Sequence, residues 1–123
     1  MIRLSRSNSH NPNQVTYLQT LNKPISFHGV GFPVGGSITS DTEHIECMQN
    51  MIDTLNPVWL SEHLSFNRIY SEGSVINTNF LLPPLQTMEG VLNAAEELKQ
   101  YAAHFDLPFA FETGYELSKT ARV

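Results

Sequence analysis

Three short apolar runs, separated by stretches of helical periodicity, limit what this chain can fold into more than any other feature. Pro24 to His28, Val58 to His63 and Pro108 to Glu112 each stop where a polar loop begins. Between them, apolar residues recur every three or four positions, the signature of amphipathic helices. Strands alternating with helices imply parallel pairing through crossover connections. Side chains at the strand ends then emerge together at one end of one sheet, where α/β folds place their chemistry. The terminal residues here are His28, His63 and Glu112. Two imidazoles and a carboxylate are the ligand set of a non-haem iron facial triad.

The helical stretches have recognisable bounds. Val15, Leu18 and Leu21 predict a short helix ending near Asn22 and Pro24. A glycine-rich loop, Gly29 to Gly36, follows the first strand. Ser40 and Glu43 stand at capping-box spacing before the stripe Ile45, Met48, Met51, Ile52 and Leu55, and Pro57 ends that helix. Thr87 opens a third helix, whose expected buried face is Val91, Leu92, Ala95, Leu98, Ala102 and Phe105. Asn67 to Asn79 reads as a long polar loop, and the run Phe80 to Leu82 is stopped by Pro83-Pro84. Residues 1–13 read as a flexible polar leader and 14–123 as one domain. The expected fold is α/β, with about three parallel strands alternating with helices. A closed (β/α)₈ barrel takes about 250 residues. The chain of 123 residues therefore reads as a partial TIM barrel.

Composition narrows the function classes. The net charge is −5, with no Lys/Arg cluster, which argues against a nucleic-acid surface. No apolar stretch approaches the roughly 20 residues of a membrane span. Cys47 is the single cysteine, so an internal disulfide is impossible. A reducing compartment such as the cytoplasm is the simplest setting. Within its helical pattern Cys47 is expected to be a small buried hydrophobe.

Each candidate site residue also has a plainer role open to it. His28, in His28-Gly29-Val30-Gly31, is either a ligand at a strand end or a histidine hydrogen-bonded at a turn. Alternation along a strand sends Glu62 and His63 to opposite sides. His63 is the better metal ligand, leaving Glu62 to support a neighbouring group from behind or to form a salt bridge. Glu112, following Phe109-Ala110-Phe111, needs a metal or a cationic partner if buried. His10 and His44 receive no role, and His104 is placed to complement a helix dipole.

Four motifs occur in order: His28-Gly29-Val30-Gly31, Ser61-Glu62-His63-Leu64, Leu81-Leu82-Pro83-Pro84 followed by Thr87, and Phe111-Glu112. In order and spacing they resemble the multinuclear non-haem iron-dependent oxidases typified by the methanobactin-biosynthesis oxidase, over about residues 15–117. The resemblance implies a xylose-isomerase-like TIM barrel holding two or three irons. It implies O₂-dependent oxidation of cysteine residues in ribosomally made peptides, often with a partner protein that presents the precursor peptide. His28 and His63 look like the first two histidine ligands, and Glu112 like the carboxylate that follows. Members of that family carry a strand before the His-Gly-Val-Gly region, and nothing in residues 1–13 reads as one. Their further ligands fall beyond Val123, so a complementing barrel half or a homo-oligomer is expected.

Two other readings stand beside this one. A metal-free or weakly metal-binding remnant would act as a protein- or peptide-binding module. A sugar-isomerase-like or endonuclease-like barrel would use the same ligands on another substrate, since substrate choice lies in loops.

Overall fold

In the computed structural model, which describes residues 2–4, 11–31, 33–38 and 42–113, the three apolar runs form adjacent parallel strands. The elements run β1 (Ile2–Leu4), α1 (Pro12–Thr20), β2 (Phe27–Gly29), α2 (Thr42–Leu55), β3 (Leu60–Leu64), β4 (Phe66–Ser71), β5 (Ser74–Leu82), α3 (Met88–Ala103) and β6 (Phe109–Thr113). One sheet has the order β1-β2-β3-β6, with every neighbouring pair parallel. This α/β arrangement is consistent with an arc of a barrel.

The strand β1 corrects the reading of the first 13 residues. Ile2 pairs with Phe27, Arg3 with His28 and Leu4 with Gly29. A strand therefore does precede the His-Gly-Val-Gly region. Three residues are too few to show a period-two pattern, which hid it in the sequence.

Helix α1 begins at Pro12 with Asn11 as its cap, whose side chain accepts from the Asn13 N–H at 3.0 Å. Proline is favoured there because its missing N–H would lack a helical partner anyway. In α2 the buried residues are Met48, Met51, Ile52 and Leu55, with Ile45 half-buried against the same core. The Asn56 N–H donates to the Ile52 carbonyl at 2.8 Å. Asn56 itself is left-handed (φ 46°), closing the helix before Pro57. Cys47 is exposed, contrary to expectation, because it lies off the buried stripe. The Ser40 half of the expected capping box lies outside the described residues.

Thr87 caps α3, accepting from the Gly90 N–H at 3.1 Å. The buried face of α3 is rotated from the expected one. Gly90, Ala94, Glu97 and Tyr101 are buried, while Val91 and Leu92 are exposed. Apolar residues cover more of this helix than the sheet can receive, and a glutamate occupies the face that does pack.

The polar stretch read as a loop is a β-ribbon. β4 and β5 pair antiparallel across a tight turn at Glu72-Gly73, both at positive φ as mirror-image hairpin turns require. The core lies between the sheet and the helices. Phe27 and Leu60 meet Met48, Met51, Ile52 and Leu55 of α2 and Tyr101 and Phe105 from α3 and its end. No helix among the described residues is long and apolar enough to cross a membrane.

Candidate metal centre

Cα partners in adjacent strands face the same way, and successive residues alternate. His28 partners Ser61, and His63 partners Glu112. Those four side chains therefore share one face at the C-terminal ends of β2, β3 and β6. Phe27, Gly29, Leu60 and Glu62 share the opposite face, against the helices. The loop after β2 is fastened across this end, the Val34 N–H donating to the His63 carbonyl at 2.9 Å.

One ligand atom from each of His28, His63 and Glu112 lies within 4.8 Å of the others, so the group could hold a metal ion. His28 Nε2 is 3.1 Å from His63 Nε2 and 3.0 Å from Glu112 Oε2, and His63 Nδ1 is 3.7 Å from the same oxygen. Cis donors about 2.1 Å from one ion stand about 3 Å apart. The two shortest separations match that spacing. Burial is uneven: the side chain of His28 is 5% exposed, that of His63 18% and that of Glu112 59%.

The tautomer of His28 follows from its neighbour. Ser61 Oγ lies 3.1 Å from the Phe27 carbonyl and 2.9 Å from His28 Nδ1. A hydroxyl has one proton, and a carbonyl can only accept. Both contacts are hydrogen bonds only if Ser61 donates to Phe27 and His28 Nδ1–H donates to Ser61. The neutral ring then has its lone pair on Nε2, facing a carboxylate oxygen 3.0 Å away. Two acceptors turned on each other are reconciled by a proton or a cation between them. The donor set fits a divalent metal.

Glu62 sits directly behind this group and is fully buried. Its Oε1 accepts from the His63 N–H at 3.1 Å, while the buried Oε2 has no hydrogen-bond partner among the described residues. Burial raises its pKa from 4.5 to about 8, offset in part by the His63 N–H and the charge of Arg68. Tyr101 on α3 is also shifted upward, chiefly by burial and then by the carboxylates of Glu62 and Glu97. His44, given no role from sequence, contacts the Tyr101 hydroxyl through Nε2 at 3.0 Å.

Comparison with known proteins supplies the family of the chain. The model of the family described as RiPP precursor modification enzyme MbnB/TglH/ChrH matches residues 4–120. The chain belongs to that family, whose members modify precursor peptides. It is 29% identical over 107 residues to a UPF0276 protein of Psychromonas ingrahamii, covering 85% of this chain and 36% of the relative. A UPF0276 protein of Chromobacterium violaceum is 41% identical over 44 residues, 36% of this chain and 16% of its own length. One from Caulobacter vibrioides is 33% identical over 45 residues, 37% and 16% of the two chains. The chain thus spans about a third of the length of the first of these relatives and matches less of the others.

Sequence reasoning missed Ser61 and Gly29. The signal for Ser61 was available: it lies two residues before His63, hence on the same face of the strand. Gly29 enters the sequence reading only as part of the His28-Gly29-Val30-Gly31 motif and the glycine-rich loop. Its structural requirement is a close approach, because a Cβ there would run into the Glu62 carboxylate.

Proposed function

We propose that this chain supplies one ligand cluster of an iron-dependent oxidase that modifies cysteine residues of ribosomally made precursor peptides with O₂. The observation that carries the reading is the convergence of His28, His63 and Glu112 within 4.8 Å, in a chain of a precursor-modifying family. The two imidazoles and the carboxylate would hold the ion, which would supply O₂ activation and electron transfer from the cysteine sulfur. The chain's own residues do the rest. Ser61 keeps the His28 lone pair aimed at the ion, and Glu62 holds the backbone of His63 from the reverse face. A cleft of about 290 Å³, lined by Gly35 and Gly36 after β2, Phe66 and Arg68 of β4 and Gly90 of α3, suits a peptide segment. Further ligands would come from the part of the barrel this chain does not span, together with a peptide-presenting partner protein, in the cytoplasm.

The test is anaerobic loading with Fe(II), then exposure to O₂ and mass analysis of a cysteine-containing peptide. Loss of a supporting group alone weakens metal sites about 10–100-fold. The chain alone should bind iron weakly and oxidise little. A polypeptide spanning the remaining barrel should restore tight binding and O₂ consumption. Robust oxidation by the 123-residue chain alone would show that no further ligands are needed.

A second reading, a binding module without chemistry, has one observation in its favour. Val91 and Leu92 on α3 and Phe111 on β6 are more than half exposed, and exposed apolar surface suits a protein partner. Absence of iron uptake even with the complementing polypeptide would favour it. Turnover of a sugar or nucleic-acid substrate, with no peptide oxidation, would favour the isomerase-like or endonuclease-like alternative.

A further inference from the structure

We infer that Glu62 and Gly29 form a positioning lock that sets the two histidine-bearing strand ends from the helix side of the sheet. The inference rests on the reading of His28, His63 and Glu112 as metal ligands and adds a second layer to it. Gly29 directly follows His28, and Glu62 directly precedes His63. On the reverse face the Glu62 carboxyl occupies the space where any side chain at position 29 would begin. The same carboxyl accepts the His63 N–H at 3.1 Å. One buried group therefore bears on the backbones of both histidines.

The arrangement is costly, which argues for a role. A fully buried carboxyl with one oxygen unpartnered destabilises the fold relative to an apolar residue of similar size. Leu60, two positions earlier on the same face, shows that the core accepts such a residue on this strand. What leucine could not do at position 62 is receive the His63 N–H. That N–H sits one bond from the Cα carrying the imidazole, so its direction sets where the ring starts. Metal sites lose affinity when ligands are displaced by fractions of an ångström, because geometry is fixed by the supporting groups.

The experiment compares the 123-residue chain with Glu62→Gln, Glu62→Leu, Gly29→Ala and the double variant Gly29→Ala/Glu62→Ala. Three readouts are taken: Co(II) affinity and absorption, the His63 backbone amide in ¹⁵N-resolved NMR without metal, and thermal unfolding. Glu62→Gln keeps an acceptor oxygen and should retain Co(II) affinity within about threefold, with the His63 amide signal little moved. Glu62→Leu should fold at least as stably, yet lose about 10–100-fold in affinity and shift that signal. Gly29→Ala should be poorly folded. Shortening Glu62 in that background should restore folding without restoring affinity, which separates positioning from packing. Wild-type affinity in Glu62→Leu or in the double variant would overturn the inference. If Glu62→Leu does not fold, the double variant decides alone; if neither folds, the carboxyl is structural and the inference fails. His63→Ala is the control for the layer beneath. Unchanged Co(II) binding there would remove the metal reading itself, and the lock with it.

Discussion

Strands β2 and β3 differ from β6 in how they are held, although all three contribute to one group of donors. Every residue of β2 is buried, and β3 has Leu60 and Glu62 fully enclosed. From Ala110 onward, every residue of β6 is exposed. His28 and His63 are thus fixed from both faces, by Ser61 on one side and by Glu62 and Gly29 on the other. Glu112 is held by pairing with β3 and by its contacts with the two imidazoles. The site is rigid on one flank and open on the other. That asymmetry is what a chain spanning about a third of its first relative's length would have, if the flank beyond β6 is where the rest of a barrel packs.

The largest effect should come from testing that asymmetry in the core. Leu60→Ala removes a fully buried side chain from β3 and should cost about 2–5 kcal/mol of stability. Phe111→Ala removes a larger side chain from β6, but one that is 51% exposed, and should cost under about 1 kcal/mol. Urea unfolding of both variants measures the difference. Equal losses would mean that β6 is covered in solution, by a second copy or another polypeptide.

A somewhat smaller effect is expected from pH, through Glu62. Unfolded, its carboxyl titrates near 4.5; folded, it titrates at about 8. Between those values the folded chain binds more protons than the unfolded one, so this group makes stability fall as pH rises. The contribution is lost at up to about 1.4 kcal/mol per pH unit, a few kcal/mol across the window. Glu62→Gln lacks the group. Its stability relative to wild type should therefore increase from pH 5 to pH 8, in metal-free protein. A difference independent of pH would place Glu62 in contact with water or a firm cationic partner.

The same contrast between held and open regions explains what the sequence made legible. β2, β3 and β6 were visible because apolar runs of strand length were punctuated by Pro and Gly, and their order fixed which ends carry His28, His63 and Glu112. The ribbon was not. Its tip exposes Ile69 and Ile76 on one face and Tyr70 and Val75 on the other, so no alternation of apolar and polar residues marks it. Its turn is Glu72-Gly73 rather than the usual Asn-Gly or Asp-Gly. Helix α3 was found, and Leu98 and Phe105 pack against the core as expected, but its first turns are rotated because apolar count alone favours Val91 and Leu92 over Glu97. Glu97 is buried beside Tyr101 in a polar cluster that periodicity does not register.

The smallest effect separates orientation from burial on the well-held flank itself. Ser61→Ala removes one hydroxyl from a half-buried site and leaves the strand pairing untouched. Stability should change by about 1 kcal/mol or less, the net worth of one hydrogen bond. The His28 ring, however, loses the acceptor that keeps its proton on Nδ1. In ¹⁵N spectra of metal-free protein, the His28 Nδ1 and Nε2 signals should move toward each other as the two tautomers mix. Co(II) affinity should fall about tenfold, the low end for loss of a group that orients a ligand. Ser61→Thr keeps the hydroxyl and should restore the tautomer wherever its methyl is accommodated. If His28 keeps a single tautomer in Ser61→Ala, then its orientation comes from Glu112 on the open flank, and the assignment of rigid and open sides must be reversed.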